Sequence, residues 1–171
     1  GLREFDPMTG ETIEIKDQTV IYPAKHYMTD PATYEDKFTL IRHDLAKQLD
    51  NLKQRNMLLE AKRLEQRTNY DLEMILELGY VNGIENYSVY FDGRKPGDPP
   101  YTLLDYFNHE DKDWLLVIDE SHITLPQVRG MYNGDKSRKE SLIGYGFRLP
   151  SALDNRPLRF DEFMRRKKKT V

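Results

Sequence analysis

Apolar side chains recur along this chain in three rhythms, and each predicts a different kind of element. After Asp30-Pro31, an N-cap candidate followed by a proline at the first helical position, Phe38, Ile41, Leu45, Leu49 and Leu52 fall three or four residues apart. That spacing predicts a helix to about residue 54. A second series, Leu58, Ala61, Leu64, Thr68, Leu72 and Ile75, predicts another helix that stops at Gly79. The break near Gln54 to Asn56 makes the pair an antiparallel helical hairpin. Glu60, Lys62, Arg63, Glu65, Gln66 and Arg67 fill the opposite side of the second helix and read as solvated surface. The N-terminal rhythm is shorter. Leu2 to Phe5 and Thr12 to Ile15 flank Asp6-Pro7-Met8-Thr9-Gly10, which supplies turn chemistry for a β-hairpin. Val20-Ile21-Tyr22 is a further apolar run closed by Pro23, and a piece this small must lean on something larger. The third rhythm is an unbroken run, Trp114-Leu115-Leu116-Val117-Ile118, which predicts a short strand buried on both faces.

Between these elements the texture is irregular. Tyr80, Tyr87, Tyr90, Phe91, Tyr101, Tyr106 and Phe107 lie among turn signals at Asp92-Gly93, Pro96-Gly97 and Pro99-Pro100. Such aromatics either stack nucleic-acid bases or staple an irregular connection onto a core, and packing is the expected role. Phe160 to Arg166 predicts a short helix, and Thr170-Val171 resembles the opening of a strand. His26 and His43 are isolated and receive no role.

Composition narrows the classes. A chain of 171 residues holds one ordinary domain, or one plus part of another. With 32% charged and 38% hydrophobic residues it suits a globular protein with a modest core. The absence of cysteine excludes disulfides and thiolate metal sites. The longest apolar run falls far short of the ~20 residues that span a bilayer. Gly1-Leu2-Arg3-Glu4 has no signal-peptide character, so a cytoplasmic location is expected. The net charge of −3 conceals an asymmetry: residues 129–169 carry 12 basic and 5 acidic side chains, the remainder 14 and 24. A basic segment in an acidic chain fits a phosphate-bearing partner, although a solvated surface has the same signature.

The candidate chemistry sits where the apolar run ends, at Asp119-Glu120-Ser121-His122. In P-loop ATPases a buried strand delivers an Asp to the Mg²⁺ shell and a neighbouring Glu that orients the attacking water. An ordinary core strand running into a polar loop would look the same locally. The phosphate-cradling half of such a site needs G-x-x-x-x-G-K-[ST]. Gly130 and Gly134 are separated by only three residues, and Asp135 stands where the lysine belongs, so this is not a P-loop. Further on, Gly144 and Gly146 bracket Tyr145, and Phe147-Arg148 combine a stacking ring with a phosphate-pairing cation.

Several stretches, in fixed order, resemble the UvrB family, the damage-verifying subunits of bacterial nucleotide excision repair. They include Leu59-Glu60-Ala61-Lys62-Arg63-Leu64-Glu65-Gln66-Arg67-Thr68, Gly83-Ile84-Glu85-Asn86-Tyr87-Ser88 and Pro99-Pro100-Tyr101-Thr102-Leu103-Leu104-Asp105-Tyr106-Phe107. Val117-Ile118-Asp119-Glu120-Ser121-His122, Gln127-Val128-Arg129-Gly130-Met131-Tyr132 and Gly146-Phe147-Arg148-Leu149-Pro150-Ser151-Ala152-Leu153-Asp154-Asn155-Arg156-Pro157-Leu158 continue the match. The resemblance is to a central slice of those proteins. It implies an α+β fold: a helical-hairpin subdomain, a partial α/β P-loop helicase domain of superfamily two, and an N-terminal β-hairpin remnant. The implied divisions are 1–24, the end of a UvrA-binding insert; 25–107, a mainly helical inserted subdomain; and 108–171, a helicase segment with the second helicase motif.

By position, the resemblance makes Asp119 the Mg²⁺-coordinating carboxylate and Glu120 the residue that polarises the hydrolytic water. Ser121 and His122 become nucleotide-coupling residues. Gln127, Arg129, Tyr132, Phe147 and Arg148 fall in segments near the DNA path. ATP and Mg²⁺ are the implied cofactors of the intact protein, and none is expected on this chain, which carries no P-loop and is expected not to hydrolyse ATP alone. UvrA, UvrC and damaged DNA are the implied partners, with a place in the SOS response, and no membrane. The competing class is a non-catalytic protein-interaction module built on the helical hairpin. A structural core without separate activity is the third expectation.

Overall fold

The computed structural model describes residues 1–20, 34–110 and 113–171. The run from Ile21 to Tyr22, the Asp30-Pro31 helix start and His26 lie outside the described residues. Strands β1 (Leu2–Phe5) and β2 (Thr12–Lys16) are followed by helices α1 (Tyr34–Gln54) and α2 (Leu58–Leu78). Then come a 3₁₀ turn (Ile84–Tyr87), α3 (Ser88–Phe91), α4 (Leu103–Glu110), β3 (Leu115–Leu116) and α5 (Ser121–Gly144). A second 3₁₀ turn (Pro150–Asp154), α6 (Phe160–Arg166) and β4 (Lys169–Thr170) complete the order. The architecture is α+β, dominated by helix. None of the described helices is long and apolar enough to cross a membrane.

The core is the seam between α1 and α2. Tyr34, Phe38, Ile41, Leu45, Leu49 and Leu52 of α1 are buried against Ala61, Leu64, Leu72 and Ile75 of α2. Ile41, Leu52, Leu64 and Ile75 are almost fully enclosed, and each such side chain stabilises the fold by about 1.5–3 kcal/mol. The link between the helices is short because Asn56 adopts a left-handed φ of 60° and Met57 N–H donates to Leu52 O at 2.9 Å. Gly79 ends α2 in the left-handed region expected of a C-terminal glycine, its N–H donating to Ile75 O. Leu58, expected on the buried face, is instead exposed: it is the first residue of α2, beyond the reach of the seam.

The irregular segment folds over one end of this hairpin. Ile84, Tyr87 and Val89 are buried, with Tyr80, Tyr90 and Phe91 packed against the core. Tyr87 O–H donates to Asp71 Oδ2 at 2.9 Å inside the seam. Burial raises the Asp71 carboxyl above its ordinary value, opposed by the Tyr87 hydrogen bond and by Arg67, whose Nε lies 2.9 Å from Oδ1. The Arg94 guanidinium, also buried, donates to Asp92, to Ser88 Oγ and to the Asp154 carbonyl. It thereby fastens residues 92–98 to the second 3₁₀ turn. The packing role expected for the aromatics therefore holds for Tyr80 to Phe91. It does not hold for Tyr101 and Tyr106, which are exposed on and beside α4, while Phe107, though exposed on one side, packs on the Trp114 ring at 5.6 Å.

The β structure is slight. β1 and β2 pair antiparallel with an irregularity at Glu4/Phe5, and Lys16 bridges to Glu4. β3 and β4 pair parallel through Leu115–Lys169 and Leu116–Thr170, extended by Ile118 N–H to Val171 O at 2.9 Å. The strand expected to be buried on both faces is thus only two residues long, and Leu115 and Val117 are 57% and 68% exposed. Its apolar run has one neighbouring strand; Leu116 and Ile118 are half-buried beside Leu125, Val128 and Phe163, while the opposite face, with Leu115 and Val117, has no covering layer among the described residues.

α5 carries no buried residue and contains Pro126. The turn that follows it docks on α2 with no room to spare. Gly146 has φ +70°, and a Cβ placed there would lie 2.3 Å from Glu60 O. Gly146→Ala is therefore expected to destabilise the chain by about 2 kcal/mol or more, through the left-handed backbone and the backbone clash together. Urea unfolding measures this, and a loss under about 0.5 kcal/mol, the range of neutral surface changes, contradicts the packing described.

Candidate functional site

The acidic pair stands at the junction of β3 and α5. Glu120 precedes the first helical residue with φ 47° and ψ 47°, a left-handed conformation that costs a non-glycine residue about 1–2 kcal/mol. Asp119 Oδ1 accepts the Glu120 N–H at 2.9 Å, and the Asp119 carbonyl accepts Thr124 Oγ1–H at 3.0 Å. Glu120 O accepts from Ile123 and Thr124, starting the helix. His122 Nδ1 lies 3.3 Å from Glu120 Oε2, and both side chains are exposed. A recess of about 280 Å³ beside Asp119 is walled by Val117, Thr124, Leu125, Val128 and Phe163.

One carboxylate at a strand end, with one oxygen already holding the local backbone, suits a hard cation whose other ligands are phosphate oxygens and water. It does not suit an all-protein cage, and among the described residues no three His, Asp or Glu side chains converge as one.

The five residues placed near a DNA path fall into two groups. On α5, Gln127 is exposed and Arg129 stacks on Phe160 at 4.6 Å. The Tyr132 ring lies between Arg156, at 5.3 Å, and Arg159, at 5.0 Å, and its hydroxyl accepts from Arg159 at 3.3 Å. After α5, Phe147 is packed by Arg63 of α2 at 4.4 Å, while Arg63 also donates to Tyr145 O at 2.7 Å. Arg148 sits by Gly83, where an added Cβ would be 3.3 Å from its Nη2, and its charge acts on Asp71. Each aromatic in these groups has an arginine partner, so each offers a ring face or edge and a cation side by side.

The sequence did not reveal what braces the first group. Arg156 and Glu162 are both buried and form a bidentate pair at 2.8 and 2.9 Å, and Arg159 N–H donates to the same carboxylate. The pair spans a proline and a helix start, so no helical spacing announces it. The helical pattern puts Arg63 on the solvated side of α2, and only the docked turn reveals its contact with Phe147.

Residues 32–93 match the family model described as the UvrB third helical domain. Over 162 residues, 95% of this chain, the chain is 56% identical to the UvrABC system protein B of Lacticaseibacillus casei (strain BL23). The protein of the same description from Symbiobacterium thermophilum is 58% identical over 165 residues, 96% of the chain. That from Prochlorococcus marinus (strain MIT 9301) is 54% identical over all 171 residues. The chain is a UvrB homologue. It spans about a quarter of the length of these curated UvrB relatives. The matched family model covers α1, α2 and the aromatic segment as far as Gly93, and thus the whole seam on which Phe147 and Arg148 rest.

The brace has a pH signature. Glu162 is held down to about 2, chiefly by its hydrogen bonds from Arg156, with the Arg159 N–H adding to the effect and burial opposing it. A depressed carboxylate contributes stability that is complete above its unfolded pKa and is lost as pH falls toward its folded one. Stability of the chain should therefore decline between about pH 4.5 and 2, and Glu162→Gln should flatten that part of the profile. Thermal unfolding at a series of pH values measures it, and an unchanged slope in the variant removes Glu162 as the cause.

Proposed function

We propose that this chain serves as part of a UvrB-type DNA-repair ATPase subunit, the B component of an excision nuclease that verifies and holds damaged DNA. The observation that supports this best is the identity of more than half the residues along nearly the whole chain, with Asp119-Glu120-Ser121-His122 placed where a strand hands over to a helix. In this reading residues 108–171 belong to a P-loop helicase-type domain, 25–107 to a helical subdomain inserted in it, and 1–24 to the end of a UvrA-binding insert. UvrA, UvrC and damaged DNA are the partners, ATP and Mg²⁺ the cofactors, and the cytoplasm the compartment.

The roles follow from chemistry. Mg²⁺ neutralises the charge that develops on the transferred phosphoryl group. Asp119 presents its carboxylate for that ion from a strand end. Glu120 orients the attacking water, with His122 within reach of its carboxylate to report on occupancy. Ser121 opens α5 beside the same group. Gln127, Arg129, Tyr132, Phe147 and Arg148 line the nucleic-acid side, where arginines meet phosphates and rings meet bases. These 171 residues contain no G-x-x-x-x-G-K-[ST], so they lack a phosphate cradle of that type.

Two measurements test the reading. The 171-residue chain should show no DNA-stimulated ATP hydrolysis, and measurable turnover would refute the division of labour. In a complete UvrB-type protein bearing this segment, Glu120→Ala should abolish hydrolysis while nucleotide binding persists. A kcat reduced by less than about tenfold, or roughly 1.4 kcal/mol of barrier, would remove Glu120 from the chemistry.

A further inference from the structure

The outer face of α1 and the 3₁₀ turn Pro150–Asp154 confront each other across a recess distant in sequence from the acidic pair. It consists of two adjoining hollows of about 380 and 310 Å³ that share Asp44, Tyr90, Pro150 and Ser151. At their common floor Tyr90 O–H donates to Asp44 Oδ2 at 2.7 Å, and the other carboxylate oxygen lies 3.4 Å from His43 Nδ1. The first hollow continues along α1 past Lys47 to the amides of Gln48 and Asn51. The second is walled by Pro96 and Leu153 and reaches Asp154. Asp154 Oδ1 accepts Gly97 N–H at 2.6 Å, which fixes the orientation of that carboxylate.

The chemistry of the two hollows differs in a way that selects a ligand. The second has two carboxylates and no cationic side chain in its lining, so it favours a cation and repels phosphate. Its proline, leucine and tyrosine walls suit the aliphatic stem that carries such a cation. In the first, Gln48 and Asn51 each offer a donor and an acceptor, the complement of a peptide main chain. Lys47 also lines the first hollow, so it is the pair of carboxylates in the second, with apolar walls for an aliphatic stem, that favours a protein segment over a nucleic acid.

We propose that this recess docks an extended peptide segment of a protein partner, with an arginine or lysine side chain seated between Asp44 and Asp154 and its main chain against Gln48 and Asn51. The site is separate from the acidic pair at β3–α5 and does not depend on the ATPase reading.

Isothermal titration of the 171-residue chain with an acetylated, amidated Pro-Arg-Pro-Arg-Pro peptide tests this directly. Saturable binding is expected, weakened at least about fivefold when citrulline replaces both arginines, because the charge is lost while shape is kept. Asp44→Asn and Asp154→Asn keep the oxygens that accept from Tyr90 and Gly97. Each should weaken the arginine peptide by a similar factor with little change in thermal midpoint, which separates loss of the site from loss of the fold. Equal affinity for the citrulline peptide, binding indifferent to both substitutions, or no saturable binding at millimolar peptide overturns the proposal. Saturable binding of oligothymidylate to the wild-type chain that Lys47→Ala abolishes would likewise overturn it, by assigning the recess to nucleic acid.

Discussion

Everything else in this chain is referred to one apolar seam. Two helices of 21 residues each face one another through side chains three and four positions apart, and the remaining elements gain their positions by resting on that pair. The 3₁₀ turn at Ile84–Tyr87 reaches into it with Tyr87, whose phenol is raised well above its ordinary value by burial and then by Asp71. The turn at Gly146 touches the backbone of α2 directly, and Arg94 secures the strap of residues 92–98 to the opposite edge. The chain therefore has one firm region and a periphery attached by a few specific contacts. The candidate functional residues stand on the periphery.

That division explains what could be read from the sequence. The seam was legible nearly residue by residue because burial on a helix imposes a 3.6-residue period, and only Leu58 at a helix end escaped the rule. The β-hairpin, the Gly79 stop and the helix at Phe160–Arg166 were legible from local turn and capping chemistry. The apolar run at Trp114–Ile118 forms less strand than its pattern implies: a strand buried on both faces presupposes neighbours, and the period of a run says nothing about whether they exist. α5 was not legible at all. Pro126, Gly130 and Gly134 all argue against a helix, and its half-buried face mixes Asp135 and Lys139 with Leu125, Val128 and Tyr132, so no clean apolar period reveals one.

For the candidate site, the acidic pair was legible as a motif, while its surroundings were not. A motif records which residues adjoin in sequence. Arg156 with Glu162, Arg63 with Phe147, and Arg148 with Asp71 adjoin only after folding. Two of these pairings unite segments more than seventy residues apart. The same is true of the recess between α1 and the Pro150–Asp154 turn, whose two walls have no feature in common until the turn is laid over the helix.

The shallow burial of α5 has a kinetic meaning. A helix of 24 residues with one half-buried face and no fully buried residue draws less protection from packing than α1 or α2. Its interior proline and two glycines cost about 3 and 1 kcal/mol apiece relative to alanine. Its opening free energy should then lie beneath that of the seam. Amide hydrogens along it should trade with solvent while those of α1 and α2 remain locked. The acid pair at one end and the ring–arginine contacts farther along would thus be borne by a segment that opens more readily than the seam. A ligand gripping both ends would act on this chain first by suppressing that traffic.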